Sequence, residues 1–546
     1  MALINPLLGS NLVTGVVFDS TLIGNSVWLN GSDEDINRTG FTLSSDGQKE
    51  FIISMWVNFN EFGRAQQLFA FGNPTGIASF NDMTQCTLNA DNTIGFSVGS
   101  GGSSGGGITT TRLFRDIGWY HLLFTFNSNT SVLPATDRIR LYVNGELQTG
   151  SQTAVPDNQD VRGSLTGDVD LRFGKNTHPS LLYFYKGYYS QVCYLEGKSL
   201  QAGDFAVSDF LDTFTMGTNG SQFIPKKDSE IAALATTVGG NSACLDFANS
   251  SDLGNDISDN NKDFTATNMA AANQSVHTPS KVYPVMNLLD QDHSTSTTLS
   301  EGNLKVSMGT SAGDGVRGTL PYSGKIYWEV EIDSISSNSG SHIGIATNNH
   351  NLALTADDTS GNGQRDAFVG VSSFSSNLTG FISGSNFDSS YGGLGNNFGT
   401  AGKYLMFAVD IDAGKFWAGY DGTWFNSGNP AAGSNDSGKN LALYDKWFPA
   451  ISRIGSAGSE AFIFNFGQSS FAHTPPSGFQ SLNSSILTAP DYQGIDYFDA
   501  TLYEGNGTGQ RVGDFVPFTD SETVANSIIF NDDDTAHLTR TYTTPT

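Results

Sequence analysis

Basic side chains are scarce in this sequence. Its 546 residues carry 27 Lys and Arg against 54 Asp and Glu, a net charge of -27. Binding to a nucleic-acid backbone depends on cationic contacts with phosphate, so that class of partner is excluded. The acidity itself reads first as solubility. Cysteine is nearly missing: Cys86, Cys193 and Cys244 are too few, and odd in number, for a disulfide framework, and read as small buried side chains. With no C-x-x-C pair and no His/Cys cluster, structural zinc is excluded. No run approaches the roughly 20 apolar residues of a membrane helix, so membrane insertion is not expected. No Lys or Arg precedes Arg38, so the charged start of a secretory signal is lacking. Amphipathic helices longer than about three turns are missing as well.

What remains is material for sheets. The 63 glycines and 38 phenylalanines, with 15% charged residues, suit short strands joined by tight turns and filled with aromatics. Phe51, Ile53, Met55, Val57 and Phe59 alternate with Ser54 and Asn58, which places the apolar set on one face of a strand. An apolar strand over Trp119 to Phe126 is followed by Ile139, Leu141 and Val143 alternating with Arg140 and Tyr142. Asn144-Gly145 then supplies two residues that tolerate positive φ, the strongest short-range hairpin signal. Residues 97–107, SVGSGGSSGGG, are not followed by the Gly-Lys-Ser/Thr that a phosphate cradle requires, and read as a flexible surface loop.

The run WYHLLFTF, then DRIRLYVNGE, DVDLRFG (Asp168 to Gly174) and YYSQVCYLEGKSL (Tyr188 to Leu200) resembles the laminin G-like, concanavalin A-like jelly-roll family over roughly residues 15 to 210. The resemblance implies a sandwich fold and a habit of binding, often to sugars, and does not imply an enzyme. Within it, YFYKGYY (183–189) sets four tyrosines around Lys186 and Gly187. Loop tyrosines can stack on sugar rings and donate hydrogen bonds, while the commoner role of such a cluster is to pack a sheet or an interface.

From Asp212 to Asn287 the pattern loosens. Leu245 to Asn268 and His277 to Asp290 resemble a connecting module of bacteriophage tail and other structural proteins. Asp252, Asp256, Asp259 and Asp263 invite a calcium reading, but the spacing fits no EF-hand, and solvated turns are the better account. Beyond it, KIYWEVEID (Lys325 to Asp333) places Ile326, Trp328, Val330 and Ile332 on one face and Tyr327, Glu329, Glu331 and Asp333 on the other, taken as solvated. With HIGIAT, YLMFAVDIDAGKFWAGYDGTWF, WFPAIS and FIFNFG, the stretch 299–483 is similar to the SPRY family, whose sandwiches bind protein partners through loops. Sandwich-fold glucanases carry Glu-x-Asp-x-x-Glu on one strand. Here Glu331-Ile332-Asp333 begins that pattern and Ser336 stands where the last Glu belongs.

After Pro490, Ser527 to Thr541 (SIIFNDDDTAHLTRT) echoes Ser26 to Thr39 (SVWLNGSDEDINRT), as if another jelly roll were starting. A lone opening strand cannot bury its face, so either the polypeptide continues or the strand completes a neighbouring subunit.

The expected fold is all-β: tandem antiparallel sandwiches, with a jelly roll and N-terminal segment over 1–211, an irregular connecting module over 212–298, a SPRY-like sandwich over 299–485, and a short C-terminal β segment over 486–546. The expected function is non-enzymatic: a bacteriophage virion surface protein, a tail fibre or appendage, made in the host cytoplasm and released by lysis. Its partners would be other virion proteins, further copies of itself in a homo-oligomer such as a trimer, and a host surface glycan or protein. The alternatives are a head decoration protein and a polysaccharide-degrading enzyme of the sandwich glucanase type. No cofactor is expected, calcium being the one alternative. The candidate contacts are the exposed aromatics Tyr183, Tyr185, Tyr188 and Trp424.

Overall fold

A computed structural model of the chain describes residues 22–486, apart from 73–81, 100–103, 116, 130–132, 162–166, 179, 181, 216–220, 292–296, 310–312, 336–339, 349, 351, 353–366, 373–377, 383–384, 390–399, 445 and 454–457. The C-terminal echo, the N-terminal segment before Leu22 and Ser336 lie outside the described residues. The architecture is two antiparallel β-sandwiches in tandem.

The first sandwich faces two eight-stranded sheets. One is centred on Trp119–Asn127, Glu50–Phe59 and Lys186–Glu196, and the other on Thr84–Leu88, Gln66–Gly72 and Val169–Phe173. Period-two alternation sends Phe51, Ile53, Met55, Val57 and Phe59 into the space between them, as expected. There they meet Phe69, Phe71, Phe96, Phe124 and Phe126 in tilted and edge-to-face pairs, such as Phe69 and Phe124 with centroids 5.0 Å apart. Asn144 and Gly145 both adopt positive φ, 49° and 81°, and close the hairpin between Ile139–Val143 and Glu146–Leu147.

The opposite face of Glu50–Phe59 is not solvated. Ile52, Ser54, Trp56 and Asn58 are all buried, because the chain after the jelly roll folds back over them. The helix Asp228–Val238 seats Ile231, Ala232 and Ala235 against Ile52, Leu123 and Leu195. Its Gly239 ends it with φ 71°. The connecting stretch is therefore no separate module: Ala243–Leu245 pairs with Lys186–Glu196, Thr265–Thr267 with Asp35–Phe41, and Gln274–Ser275 with Ser26–Asn30. Asp256, taken as a solvated turn residue, is a buried hub that accepts from the backbone N–H of Cys244, Ser258 and Lys262.

Two further readings are corrected. Residues 100–103 lie outside the described residues, and the described parts of the glycine-rich stretch are not loop: residues 97–99 end the strand Ile94–Gly99, and Ser104–Thr110 is a strand paired on both sides. Side chains there would collide with neighbouring backbone, a Cβ on Gly107 lying 2.6 Å from the Phe96 carbonyl oxygen. Cys193 and Cys244 are buried but not independent. They lie directly opposite one another on adjacent strands, Cα atoms 4.1 Å apart, and form a disulfide, leaving Cys86 as the free thiol.

The second sandwich packs a seven-stranded sheet against an eight-stranded one. Its core holds Ile326, Trp328, Val330 and Ile332 as the alternation predicts, with Trp328 stacked on Phe407 at 4.1 Å. Met286–Gln291 is already an edge strand of the seven-stranded sheet, so this sandwich begins before residue 299.

The two bodies are docked. Trp56, Trp119, Tyr188 and Leu211 of the first form one buried cluster with Val282 of the link and Leu320 of the second. Gly302 passes so close to Tyr188 that a Cβ there would overlap the phenol, and its φ of 68° independently favours glycine. Lys186 Nζ donates across the junction to the Leu299 carbonyl at 3.3 Å, and Val282 and Ser484 exchange hydrogen bonds.

Two outcomes follow from this packing. In denaturant without reductant one thiol per chain alkylates, and after reduction all three do, as read by intact mass. Gly302→Val undocks the sandwiches: limited proteolysis then cuts between residues 276 and 300 while the far-ultraviolet circular dichroism stays that of the parent.

Candidate functional site

Where the sandwiches meet they leave a half-open cleft of about 740 Å³, in the size range of ligand sites. Strand register builds both walls. On the jelly-roll side Trp28 pairs with Tyr188 and Asn30 with Lys186, so these four share the outward face of the sheet while Val27, Leu29 and Tyr189 point into the core. On the other side Ile463, Glu331 and Tyr404 lie in one cross-strand row on the outward face of the second sandwich. Asn273 to Ser275 and Gln468 to Ser470 close the ends.

The lining combines aromatic faces, amides and three carboxylates. Glu34 Oε2 accepts from the Asn30 N–H at 2.6 Å and Oε1 from Asn273 Nδ2 at 3.0 Å. Burial nevertheless pushes its carboxyl above the ordinary value, against those two hydrogen bonds. Glu331 accepts from the Tyr404 hydroxyl at 3.3 Å. Burial, and then the Glu331 charge, raise the Tyr404 phenol, which stays a donor. Glu301 is held by Lys305, which also reaches Asp333.

The wall made by residues 468–472 is latched by Glu329. This carboxylate is fully buried, contrary to its expected solvated position, and accepts from the Tyr327 hydroxyl and the N–H groups of Ala472 and His473 at 2.6 to 2.8 Å. Burial first and Glu329 second push the Tyr327 phenol well up.

Of the four aromatics chosen from sequence, two are overturned as exposed contacts. Tyr185 is fully buried, donating to the Asn58 carbonyl and stacked on Tyr189 at 4.5 Å. Tyr188 is 1% exposed and forms the base of the cleft beside Trp28. Tyr183 stands at the surface, 37% exposed, and Trp424 is half-buried against Tyr327; neither lines the cleft. Trp28, Glu34 and Tyr404 were missed. Trp28 sits in an alternating strand whose outward face could be read from its sequence, but the facing wall comes from residues more than 300 positions away. Among the described residues no group of three or more His, Cys, Asp or Glu is placed to hold a metal ion, and no helix is long and apolar enough to cross a membrane.

With this geometry established, the chain was compared with known proteins. Residues 30–194 match the family model of the concanavalin A-like lectin/glucanases superfamily. The matched segment contributes residues such as Glu34, Lys186 and Tyr188 to one wall of the cleft. No curated protein matches the chain. Among solved structures, it is similar to the SPRY domain of human HERC1 (14% identity, 32% of this chain and 94% of that one, TM-score 0.23). It is similar also to the CBM40 of the Ruminococcus gnavus IT-sialidase (13%, 34% and 97%, TM-score 0.25) and to a SAP-like pentraxin from Limulus polyphemus (12%, 37% and 85%, TM-score 0.25).

Among the described residues His121, His277 and His342 are buried, and burial alone or first sets their protonation. Burial lowers His121 and His277 to about 3 and His342 to about 4. His277 packs between Trp119 and Tyr188 beneath the cleft, its Nδ1 accepting from the Tyr283 N–H. Each folded-state value lies below the unfolded one, so unfolding takes up protons and stability falls as pH drops below about 6.5, by about 1.4 kcal/mol per pH unit and histidine. Asp228, which burial raises to about 6, works in the opposite direction. His277→Gln isolates one contribution: the loss of unfolding free energy between about pH 6.5 and 4.5 shrinks by about 2.5 kcal/mol relative to the parent, measured by urea titration.

Proposed function

We propose that this chain is a non-enzymatic surface protein of a bacteriophage particle, a tail fibre or related appendage, which attaches to host-surface glycan through the cleft between its sandwiches. The observation that carries the reading is the cleft lining: Trp28 and Tyr404 offer ring faces to a pyranose, and the Tyr404 hydroxyl and the carboxylates offer a donor and acceptors for vicinal hydroxyls. A lectin/glucanase-fold domain forms one wall, which agrees with sugar as the ligand class. Weak single sites multiplied over an oligomeric particle give avidity, so moderate affinity per cleft is sufficient. Production in the host cytoplasm followed by lysis exposes the Cys193–Cys244 pair to an oxidising exterior, where its disulfide persists. Other virion proteins and further copies of the chain are the remaining partners.

One observation favours a second reading, a polysaccharide hydrolase: carboxylates stand on both walls, Glu34 on one and Glu331 on the other. Binding is preferred because both Glu34 oxygens are held by structural hydrogen bonds and because Ser336 replaces the second acid that a glucanase strand needs.

Trp28→Ala lowers affinity for host-surface polysaccharide at least about tenfold in calorimetry with little change in unfolding midpoint. Gold labelling places the protein on the exterior of purified particles, and its absence from them ends the virion assignment. Release of reducing ends from the polysaccharide, abolished by Glu331→Gln, would instead establish the hydrolase.

A further inference from the structure

The charge distribution around the cleft narrows its ligand. Among the described residues Lys186 is the cation lining it, and its Nζ is committed to the Leu299 carbonyl. Glu301 shares the Lys305 ammonium with Asp333. Glu34 and Glu331 differ: they come from opposite walls, and the partners that hold them are neutral donors, the Asn30 N–H and the Asn273 amide for one and the Tyr404 hydroxyl for the other. Among the described residues neither carboxylate has a cation within ion-pair distance. Two opposed anions remain uncompensated in a partly desolvated space, where charge counts for more than in bulk water. A ligand carrying its own ammonium would turn both into charge-assisted hydrogen bonds, and one carrying a carboxylate would add a third anion between them.

Resting on the cleft as the saccharide site, we propose that it takes an amino-bearing saccharide, a glucosamine-type unit with a free ammonium, and rejects sialylated or uronate-containing glycans. The aromatic wall holds the ring, while Glu331 on one side and Glu34 on the other receive the ammonium. N-acetylation keeps the ring and removes the charge, so it separates the two contributions.

The test uses the full chain and three probes: a glucosamine tetramer, the N-acetylglucosamine tetramer and sialyllactose, titrated at about pH 6, where sugar amines are largely protonated. The amine binds about tenfold tighter than its acetylated counterpart, the preference shrinks as salt rises, and sialyllactose gives no heat. Glu331→Gln, and separately Glu34→Gln, bring the ratio of amine to acetylated affinity down toward one. Equal binding of amine and acetylated tetramers, both lost in Trp28→Ala, overturns the charge selection and leaves the cleft as the site. Tight binding of sialyllactose does the same. Saccharide binding that Trp28→Ala does not weaken for any probe overturns the cleft reading and this inference together.

Discussion

The junction between the sandwiches is the constraint on which the rest depends. Tyr188 sits on Gly302, with Trp56, Trp119, Val282 and Leu320 packed around that contact. A buried aromatic cluster of this kind excludes water and sets one separation, because interiors pack to crystal-like density and do not deform continuously. The cleft is the space left beside that contact. Its two walls are outward faces of sheets that would be ordinary solvated surface if either body stood alone.

Covering is the recurring device. In a jelly roll an antiparallel sheet can keep one face in water. Here the outward face of the strand Glu50–Phe59 is roofed by the helix Asp228–Val238 and by the aromatic cluster, and the row Tyr327–Glu329 is roofed by the segment around Ala472. The roofing brings polar groups inside, and each needs a partner or must stay neutral. Glu329 is satisfied by three donors, Asp256 by a set of backbone N–H groups, and His121, His277 and His342 remain uncharged. The cleft carboxylates Glu34 and Glu331 are the contrasting case, anions lodged beside neutral donors at the edge of the same packing.

Much of the fold was legible because it is local. Alternation over Phe51 to Phe59 and over Ile326 to Ile332 correctly named both core faces, and Asn144-Gly145 correctly named a hairpin. Errors arose where a second layer mattered. Tyr185 and Tyr188 looked like exposed loop aromatics, but Tyr188 lies in the long strand Lys186–Glu196, where pairing on both sides and the docked sandwich bury it, and Tyr185, just ahead of that strand, packs into the core of the first sandwich. The run SGGG looked loose, yet its lack of side chains is what lets a strand lie against the Phe96 and Ala154 backbone. Cys193 and Cys244, 51 residues apart, became partners only through strand register.

By itself the sequence determined the all-β class, the inward and outward faces of the main strands and the acidic net charge, since periodicity and composition act over a few residues or over the whole chain. Tertiary structure alone decided which outward faces stay wet. Trp28 and Glu34 meet Glu331 and Tyr404 only after two sandwiches dock, and no pattern within either strand encodes that approach. The physical reason is that burial of a sheet's second face depends on what lies above it, which is a property of the assembled chain.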